Sequence, residues 1–549
     1  MIKQKLVLLL LSFSVILSAQ NIQPDKTFQI SKNMSIFNSV LREIEMFYVD
    51  TLNHEKMIKN AVDYMLQNMD PYTVYFPEDN SDDVSFMTTG EYGGIGSLIT
   101  KTTDGICISD PYEGMPAQKN GLKAGDIILE IDGVSTKNMA VSEASSKLKG
   151  TPNTEISLKI KRYGINKPLT KKFLREKIQI HPISYMMMAD KETGYILLDD
   201  FTDQASMELK NAVQKLIREN NMKKLIIDLR SNGGGLIDEA VKIMGYFVPK
   251  GTEIVSTRGK SVYATQTYRT PLDPIFPDIK VAVMVNSQSA SASEILAGAM
   301  QDLDRGIIIG QRTFGKGLVQ NIRPVSYGGQ VKITTAKYYI PSGRCIQAID
   351  YAKRNEDGSL QRIPDSLTNI FKTKHGRIVR DGGGIIPDTI TKDERKINIA
   401  YYMLLQNLYF DYATIYAAQN QQIANPSAFV VTDEEFQKFI AFVKEKKFNY
   451  VPQTRKYFDE LYNFAKNEDL DKEAEAEFNA LKAKLDLNQD IQFNKHQTEI
   501  KEFLSLEIIK RYYYQKGMIE YSLKSDKELQ TTLSLINDEN YYNATLKGR

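Results

Sequence analysis

The segment Val281-Ala-Val-Met-Val285-Asn286-Ser-Gln-Ser289-Ala-Ser291-Ala-Ser293-Glu294-Ile-Leu-Ala-Gly-Ala-Met300-Gln-Asp302 reads as an apolar strand, a serine-rich loop and an alanine-rich helix. An uninterrupted apolar run bounded by turn residues marks a strand buried on both faces. The same order recurs on either side. Ile196-Leu197-Leu198 and Leu225-Ile226-Ile227 read as strands with a helix over about 204–219 between them, and Ile307-Ile308-Ile309 is a further strand after the helix over about 293–302. Strands alternating with helices imply an α/β layer, which ends after Gly382-Gly-Gly384-Ile-Ile-Pro387-Asp388.

Toward the N-terminus the texture changes. From about Tyr92 to Gly164 short β-runs are broken by Gly, Asp and Asn, as in a compact β domain. Before it, Ile36, Val40, Ile44 and Phe47 recur at helical spacing, as do Ile58, Ala61, Met65 and Met69 after a second start near Asn53, and the pattern ends at Asp70-Pro71. The first residues place Lys3 and Lys5 before an apolar run from Leu6 to Leu17 that ends in Ser18-Ala19-Gln20, the order of a cleaved secretory signal and too short to span a bilayer, with a buried or membrane-anchoring N-terminal helix as the alternative. Beyond residue 395 the chain is charged and helical. Thr432-Asp-Glu-Glu435 is a capping box for a helix with Phe436, Phe439, Ile440 and Val443 on one face, and Ile500, Phe503, Leu504 and Ile508 form a similar stripe. Such stripes predict packing against the body of the protein or against a second copy.

The 549 residues are 42% hydrophobic, 25% charged and 10% aromatic, a globular composition that excludes a disordered or collagen-like chain. A formal net charge of +2 provides no field to draw the chain onto nucleic acid or anionic lipid. Cys107 and Cys345 are far apart and belong to no CxxC pair, so no disulfide framework is expected. His54, His181, His375 and His496 have no ligand partners at zinc spacing, and no metal or other cofactor is expected.

Four stretches carry residues suited to chemistry. In the loop 286–294 a hydroxyl at a strand-to-helix turn would stand exposed with helix N–H groups facing an anion, as an acyl-transfer nucleophile requires; Ser291-Ala-Ser-Glu294 is equally a plain capping box. Gly310-Gln-Arg-Thr-Phe-Gly315-Lys316-Gly317 nearly spells a phosphate loop, but the hydroxyl residue after the lysine is missing and Leu318-Val-Gln320-Asn-Ile322 continues as a strand, so nucleotide binding is not expected. What remains is Lys316, on one strand face with Leu318 and Gln320 by alternation. Desolvation there would favour the neutral amine that accepts a serine proton, whereas a lysine at a glycine turn is ordinarily just exposed. Asp228-Leu-Arg230-Ser-Asn-Gly233-Gly234-Gly235-Leu236 is a second strand-to-helix passage, either an oxyanion hole or a tight structural turn. Gly94-Ile95-Gly96, with Gly121-Leu-Lys-Ala-Gly125-Asp126 further on, is a glycine loop entering a strand, suited to capture a terminal carboxylate while the strand edge pairs with a peptide; an ordinary small β domain is the alternative.

Together these stretches resemble the carboxy-terminal processing peptidases, or tail-specific proteases, over about residues 35–390, in a type found in Bacteroidetes-like bacteria. The β domain is similar to a PDZ domain through Gly94-Ile-Gly96 and the run 121–126, and Asp70-Pro71, Tyr338-Tyr-Ile-Pro-Ser-Gly-Arg344 and Ile386-Pro387-Asp388 match further landmarks. The resemblance implies a serine-lysine dyad whose lysine follows the serine by 25 residues with a glutamine four further on, which selects Ser291 as nucleophile, Lys316 as general base and Gln320 as the residue orienting it. It also implies backbone oxyanion donors at Ala292 and Gly234, and peptide binding by Gly94, Ile95 and Gly96.

The expected fold is a multidomain α/β protein with a crotonase/Clp-protease-like core, an inserted mainly-β PDZ domain, an N-terminal helical region and a C-terminal helical extension. The expected divisions are 1–19 signal peptide, 20–82 N-terminal helical region, 83–167 PDZ domain, 168–395 peptidase core and 396–549 helical extension. The implied function is an exported, periplasmic serine endopeptidase that binds the C-terminal tails of protein substrates. An adaptor, or a second copy through the C-terminal helices, is the further partner expected, and nucleic acid is not. Two readings compete: a PDZ scaffold with an inactive protease fold, which the intact Ser291, Lys316 and Gln320 oppose, and a Ser-His hydrolase using His181 or His375.

Overall fold

The computed structural model describes residues 26–78, 81–354, 360–392 and 397–548, so the expected signal segment 1–19 lies outside the described residues. The described residues fall into two compact units that divide between Tyr75 and Phe76. In the first, the helical spacing becomes helices Lys26–Phe47 and His54–Gln67, the second opened by Asn53, whose side chain accepts the Lys56 N–H at 2.9 Å. Asp70 then turns the chain: its Oδ1 accepts the N–H groups of Tyr72 and Thr73 at 2.8 and 2.9 Å.

The core of the second unit is a six-stranded sheet in the order Ile183–Met188, Thr193–Leu198, Lys224–Asp228, Lys280–Val285, Gly306–Gly310, Thr389–Ile390; the first pair is antiparallel and the rest are parallel. Its strands read as unbroken apolar runs because both faces are covered. Alternate residues divide between them. Ile227, Val283 and Val285 meet the helices Ala205–Asn220, Ile237–Gly245 and Ala292–Asp302, whereas Ile226, Ala282, Met284, Ile307 and Ile309 meet Ile519, Leu523, Leu529, Ile536 and Tyr542 of the C-terminal helices. The helical extension therefore forms the second cover of the six-stranded sheet, as the first of the two packing expectations has it. It also has a core of its own, in which Phe436, Phe439, Ile440 and Val443 of Asp433–Glu445 pack with Ile500, Leu504 and Ile508 of Gln497–Leu523.

The β domain is an antiparallel sheet in which Ser97–Thr102, at one end, pairs with Gly105–Pro111, followed by Ile127–Ile131, Glu155–Lys161 and Leu169–Leu174. Leu169–Leu174 bonds along Glu155–Lys161, so this sheet continues past residue 167, where the sequence places the end of the domain. The helix Val141–Leu148 buries Ala144 and Leu148 in the same core.

Arg344 anchors the helix Ala292–Asp302 from below. It is 1% exposed, with Nη2 2.8 Å from both Asp302 Oδ1 and Gln301 Oε1 and Nη1 3.1 Å from the Arg380 carbonyl. Removing one member of a buried ion pair leaves the other charge uncompensated, at a cost of about 3–5 kcal/mol. Arg344→Ala is expected to reduce the unfolding free energy by that amount in urea titrations. A loss no larger than that of an exposed pair, about 1 kcal/mol or less, would contradict this weight.

Candidate active site

The strand Lys280–Val285 delivers the serine loop to the start of Ala292–Asp302, a helix with all eleven residues buried. The loop sorts its own serines. Ser289 is buried and donates its hydroxyl to the Leu229 carbonyl at 2.7 Å, and Ser293 is buried and donates to the Asn232 carbonyl at 3.0 Å. Both hydroxyls are spent on the backbone of the neighbouring glycine loop, and Ser287 is exposed. Ser291 alone of the four sits at the helix start with φ +59° and ψ −116°. A non-glycine residue held there stores about 1–3 kcal/mol of strain, which recurs where a side chain must be presented at a sharp elbow.

Glu294 fixes the surroundings of that elbow. It is fully buried, and its Oε2 accepts the N–H groups of Ser291 and Lys316, each at 2.9 Å, while Oε1 accepts the Gly315 N–H at 2.8 Å and the Thr313 hydroxyl at 2.5 Å. The segment that resembles a phosphate loop thus does cradle an acid, but the acid is a carboxyl group of the protein itself. Burial pushes the Glu294 carboxyl up to about 7, against the pull of these four donors toward the ionised form. Tyr338, 1% exposed, adds a second tie: its hydroxyl lies 3.2 Å from the Ser291 carbonyl and also bonds the Lys316 carbonyl. Serine and lysine are therefore held by one carboxylate at their N–H groups and one phenol at their carbonyls. Gly315 must be glycine, since φ is +87° and a Cβ would lie 2.3 Å from that of Ala348.

The other sequence-predicted residues fall as follows. Gly234, at φ +105°, approaches so closely that a Cβ there would stand 2.7 Å from that of Ser291 and 2.9 Å from the Ala292 nitrogen. Its N–H, expected to face an oxyanion, donates here to Asn232 Oδ1 at 2.8 Å. Lys316 precedes the strand Leu318–Pro324, whose register shifts between Val319 and Gln320. Simple alternation therefore does not carry one face from Lys316 to Gln320, and the Gln320 amide donates across the hairpin to Thr334 Oγ1 at 3.1 Å. His181 pairs with Glu208 at 2.7 Å and His375 with the Leu546 carbonyl at 3.0 Å, so each ring is engaged by another partner.

In the β domain, Ile95 accepts the Ala117 N–H at 2.8 Å and Gly96, at φ +70°, accepts that of Tyr112 at 3.0 Å, which shapes the loop ahead of the strand Ser97–Thr102. A cavity of about 160 Å³ opens there, lined by Phe86, Tyr92, Ile95, Leu98, Tyr112 and Leu148 among others. Sequence reasoning missed the hub role of Glu294 and the tie through Tyr338. The three-residue spacing from Ser291 to Glu294 indicated one of the four bonds, and nothing in the sequence marked the rest.

Comparison with known proteins places these features in a family. The model of Peptidase family S41 matches residues 192–352, that of the PDZ domain residues 83–161, and one described as probable PDZ-protease, C-terminal helical domain, residues 399–536. The chain is 37% identical over 342 residues to a carboxy-terminal-processing protease of Bartonella bacilliformis, a match covering 62% of this chain and 78% of that protein. It is 34% identical over 316 residues to a probable CtpA-like serine protease of Staphylococcus aureus, covering 57% of this chain and 62% of that protein. Among solved structures, the photosystem II D1 C-terminal processing protease matches at 26% identity and a TM-score of 0.36, over 64% of this chain and 86% of that one.

Proposed function

The chain belongs to peptidase family S41 as a carboxy-terminal-processing serine peptidase with a PDZ domain, and from that premise we propose that it is an exported endopeptidase that captures protein C-termini and cuts them with a Ser291–Lys316 dyad. The neutral Lys316 amine takes the Ser291 hydroxyl proton as Oγ attacks the scissile carbonyl, and returns it to the leaving amine; water then releases the acyl group by the same route. The Ala292 N–H, at the positive end of the buried helix, is one oxyanion donor, and Gly234 is the second once Asn232 yields its N–H. Gln320 orients the lysine. The observation that carries this reading is the shared Glu294 carboxylate, which makes neighbours of a serine and a lysine that are 25 residues apart.

Capture of the tail uses the β domain. An incoming C-terminus adds as a strand along Ser97–Thr102, its carboxylate at Gly94, Ile95 and Gly96 and its last side chain in the apolar cavity. Substrates are then proteins with accessible apolar tails, and an adaptor or a second copy of the chain is assigned to the C-terminal helices. Export follows from residues 1–19 and places the enzyme in the periplasm; recovery of an N-terminally shortened chain in the periplasmic fraction tests it, and a full-length cytoplasmic product opposes it.

The decisive experiment is cleavage of an unfolded model protein ending in an apolar tail, compared with the same protein carrying a C-terminal amide. The amide is expected to raise KM about ten-fold, the equivalent of roughly 1.4 kcal/mol. Gly96→Ala, whose Cβ would meet that of Met115 at 2.4 Å, should raise KM for the free tail by about the same factor and make the enzyme indifferent to amidation. Equal KM for both tails in the wild type would sink the capture step.

A further inference from the structure

The strand Lys224–Asp228 leads into Leu229 and Arg230, and Arg230 is gripped from two sides. On one, Asp228 Oδ1 accepts its N–H at 2.9 Å and its Nε at 3.0 Å, and Asp228 Oδ2, which also takes the Tyr195 hydroxyl at 2.7 Å, lies 2.6 Å from Nη2. On the other, the C-terminal helical domain supplies two more carboxylates: Asp526 Oδ2 is 2.6 Å from Nη2 and Glu528 Oε2 2.9 Å from Nη1. These contacts join residues 296 and 298 positions apart in sequence. Asp526 also caps the helix Lys527–Asn537 through Oδ1 and the Leu529 N–H, at 2.9 Å, and that helix buries Leu529 and Ile536 against the sheet. A guanidinium at a helix N-terminus is unfavourable by itself; the two acids at the helix start make it a charge-assisted, two-pronged anchor.

Arg230 is directly continuous with the loop that faces the nucleophile. Ser231, at φ +63°, donates its N–H to Asn286 Oδ1 at 2.9 Å. The Asn232 carbonyl accepts both the Ala290 N–H and the Ser293 hydroxyl at 3.0 Å, and its side chain holds Gly234 and the Leu198 carbonyl, the latter at 2.7 Å. The residues bonded to Asn232 thus flank Ser291 in sequence. Ser231 and Asn232 connect Arg230 to the elbow and to the Gly234 N–H through hydrogen bonds.

We propose that Asp526 and Glu528 are positioning residues of the peptidase reaction: acting through Arg230, they hold the glycine loop 231–235 in register with Ser291, so that the C-terminal helical domain helps to present the oxyanion donors. The kinetic consequence rests on the peptidase reading; the structural one does not. The test uses the full chain with Asp526→Asn and Glu528→Gln together, which removes both charges at constant shape and keeps the cap, since asparagine caps as well as aspartate.

The double variant is expected to lose about ten- to hundred-fold in kcat with KM for the tailed substrate unchanged, the scale of a misplaced catalytic group. Its affinity for a peptidyl boronate, whose adduct with Ser291 carries the tetrahedral charge, should fall by the same factor. Amide exchange over 231–236 should accelerate while that of Ile106 and Ile108 in the PDZ core stays as in wild type. In an Arg230→Lys background, where the fork is already lost, the two acid substitutions should add little. Unchanged kcat, or unchanged exchange over 231–236, in the folded double variant overturns the proposal. Should the pair of substitutions abolish cooperative unfolding, Glu528→Gln alone is judged by the same readings. Exchange requires no turnover, so a wild type that fails to cleave would refute the peptidase reading and leave this one to be decided separately.

Discussion

Ser291→Ala and Lys316→Ala are each expected to abolish cleavage of the tailed substrate, with kcat down by at least about 10⁴-fold and the double variant no worse than either single one. In the proposed mechanism the two groups perform one proton transfer and one bond formation, so removing either removes the acyl-enzyme route. Binding should survive: the tail-peptide Kd should match wild type, because the proposed capture step uses the β domain. Initial rates with and without EDTA, alongside thermal unfolding of each variant, make the comparison. The neighbouring serines sharpen it. Ser293→Ala loses one buried hydrogen bond and Ser289→Ala two, since Ser289 also accepts the Asn286 N–H, so about 1–2 kcal/mol of stability should go, while cleavage should fall far less than in Ser291→Ala because the Ser291 hydroxyl is kept. Cleavage by Ser291→Ala at more than about a hundredth of the wild-type rate would exceed what binding and oxyanion stabilisation alone sustain, and would transfer the nucleophile elsewhere. Loss on substituting His181 or His375 comparable to that of Lys316→Ala would revive the Ser-His alternative.

Glu294 is the second position of large effect. Glu294→Ala leaves three N–H groups and a hydroxyl without their acceptor around a side chain that is fully buried. With about 1–3 kcal/mol for each unsatisfied buried group, partly relieved by relaxation, a loss of about 3–5 kcal/mol in unfolding free energy is expected. Glu294→Gln keeps the volume but turns an NH₂ group toward donors, so it should fold and still lose about 10²-fold in kcat, through the misplaced Ser291 and Lys316 backbones. Wild-type kcat in that variant would show that the clamp has no catalytic consequence. The carboxyl also carries a pH signature. Its folded pKa, raised by burial to about 7 from 4.5, means that its contribution to stability is complete below about pH 4.5 and is lost as pH rises through about 7. The stability of wild type relative to Glu294→Gln should therefore decline from acid to neutral pH in urea titrations; a difference that grows with pH would reverse the sign.

Much of this was legible in the chain. The runs at 196–198, 225–227, 281–285 and 307–309 became adjacent strands of one sheet, because a strand buried on both faces cannot tolerate polar residues and so announces itself. Asn53, Asp70 and Thr432 act where their side chains predict, since a cap or an Asx turn reaches only two or three residues. The alternation argument for Lys316 and Gln320 failed for an equally local reason: the strand begins at Leu318 and its register shifts at once, and a bulge leaves no reliable mark in composition.

By itself the sequence determined the order of strands and helices, the covered faces, the glycine loops and the family to which the serine and lysine belong. The elements are written in side chains within one or two turns of each other, and the family in motifs spread from Asp70 to Asp388. Only the tertiary structure decided which serines spend their hydroxyls on backbone, that Glu294 accepts the N–H groups of both Ser291 and Lys316, and that acids near the C-terminus hold the arginine beside the glycine loop. The reason is physical. The donors to Glu294 are mostly backbone N–H groups, which every residue but proline carries and which leave no trace in the sequence. The partners of Arg230 lie almost 300 residues away, and only the closed sheet brings them together.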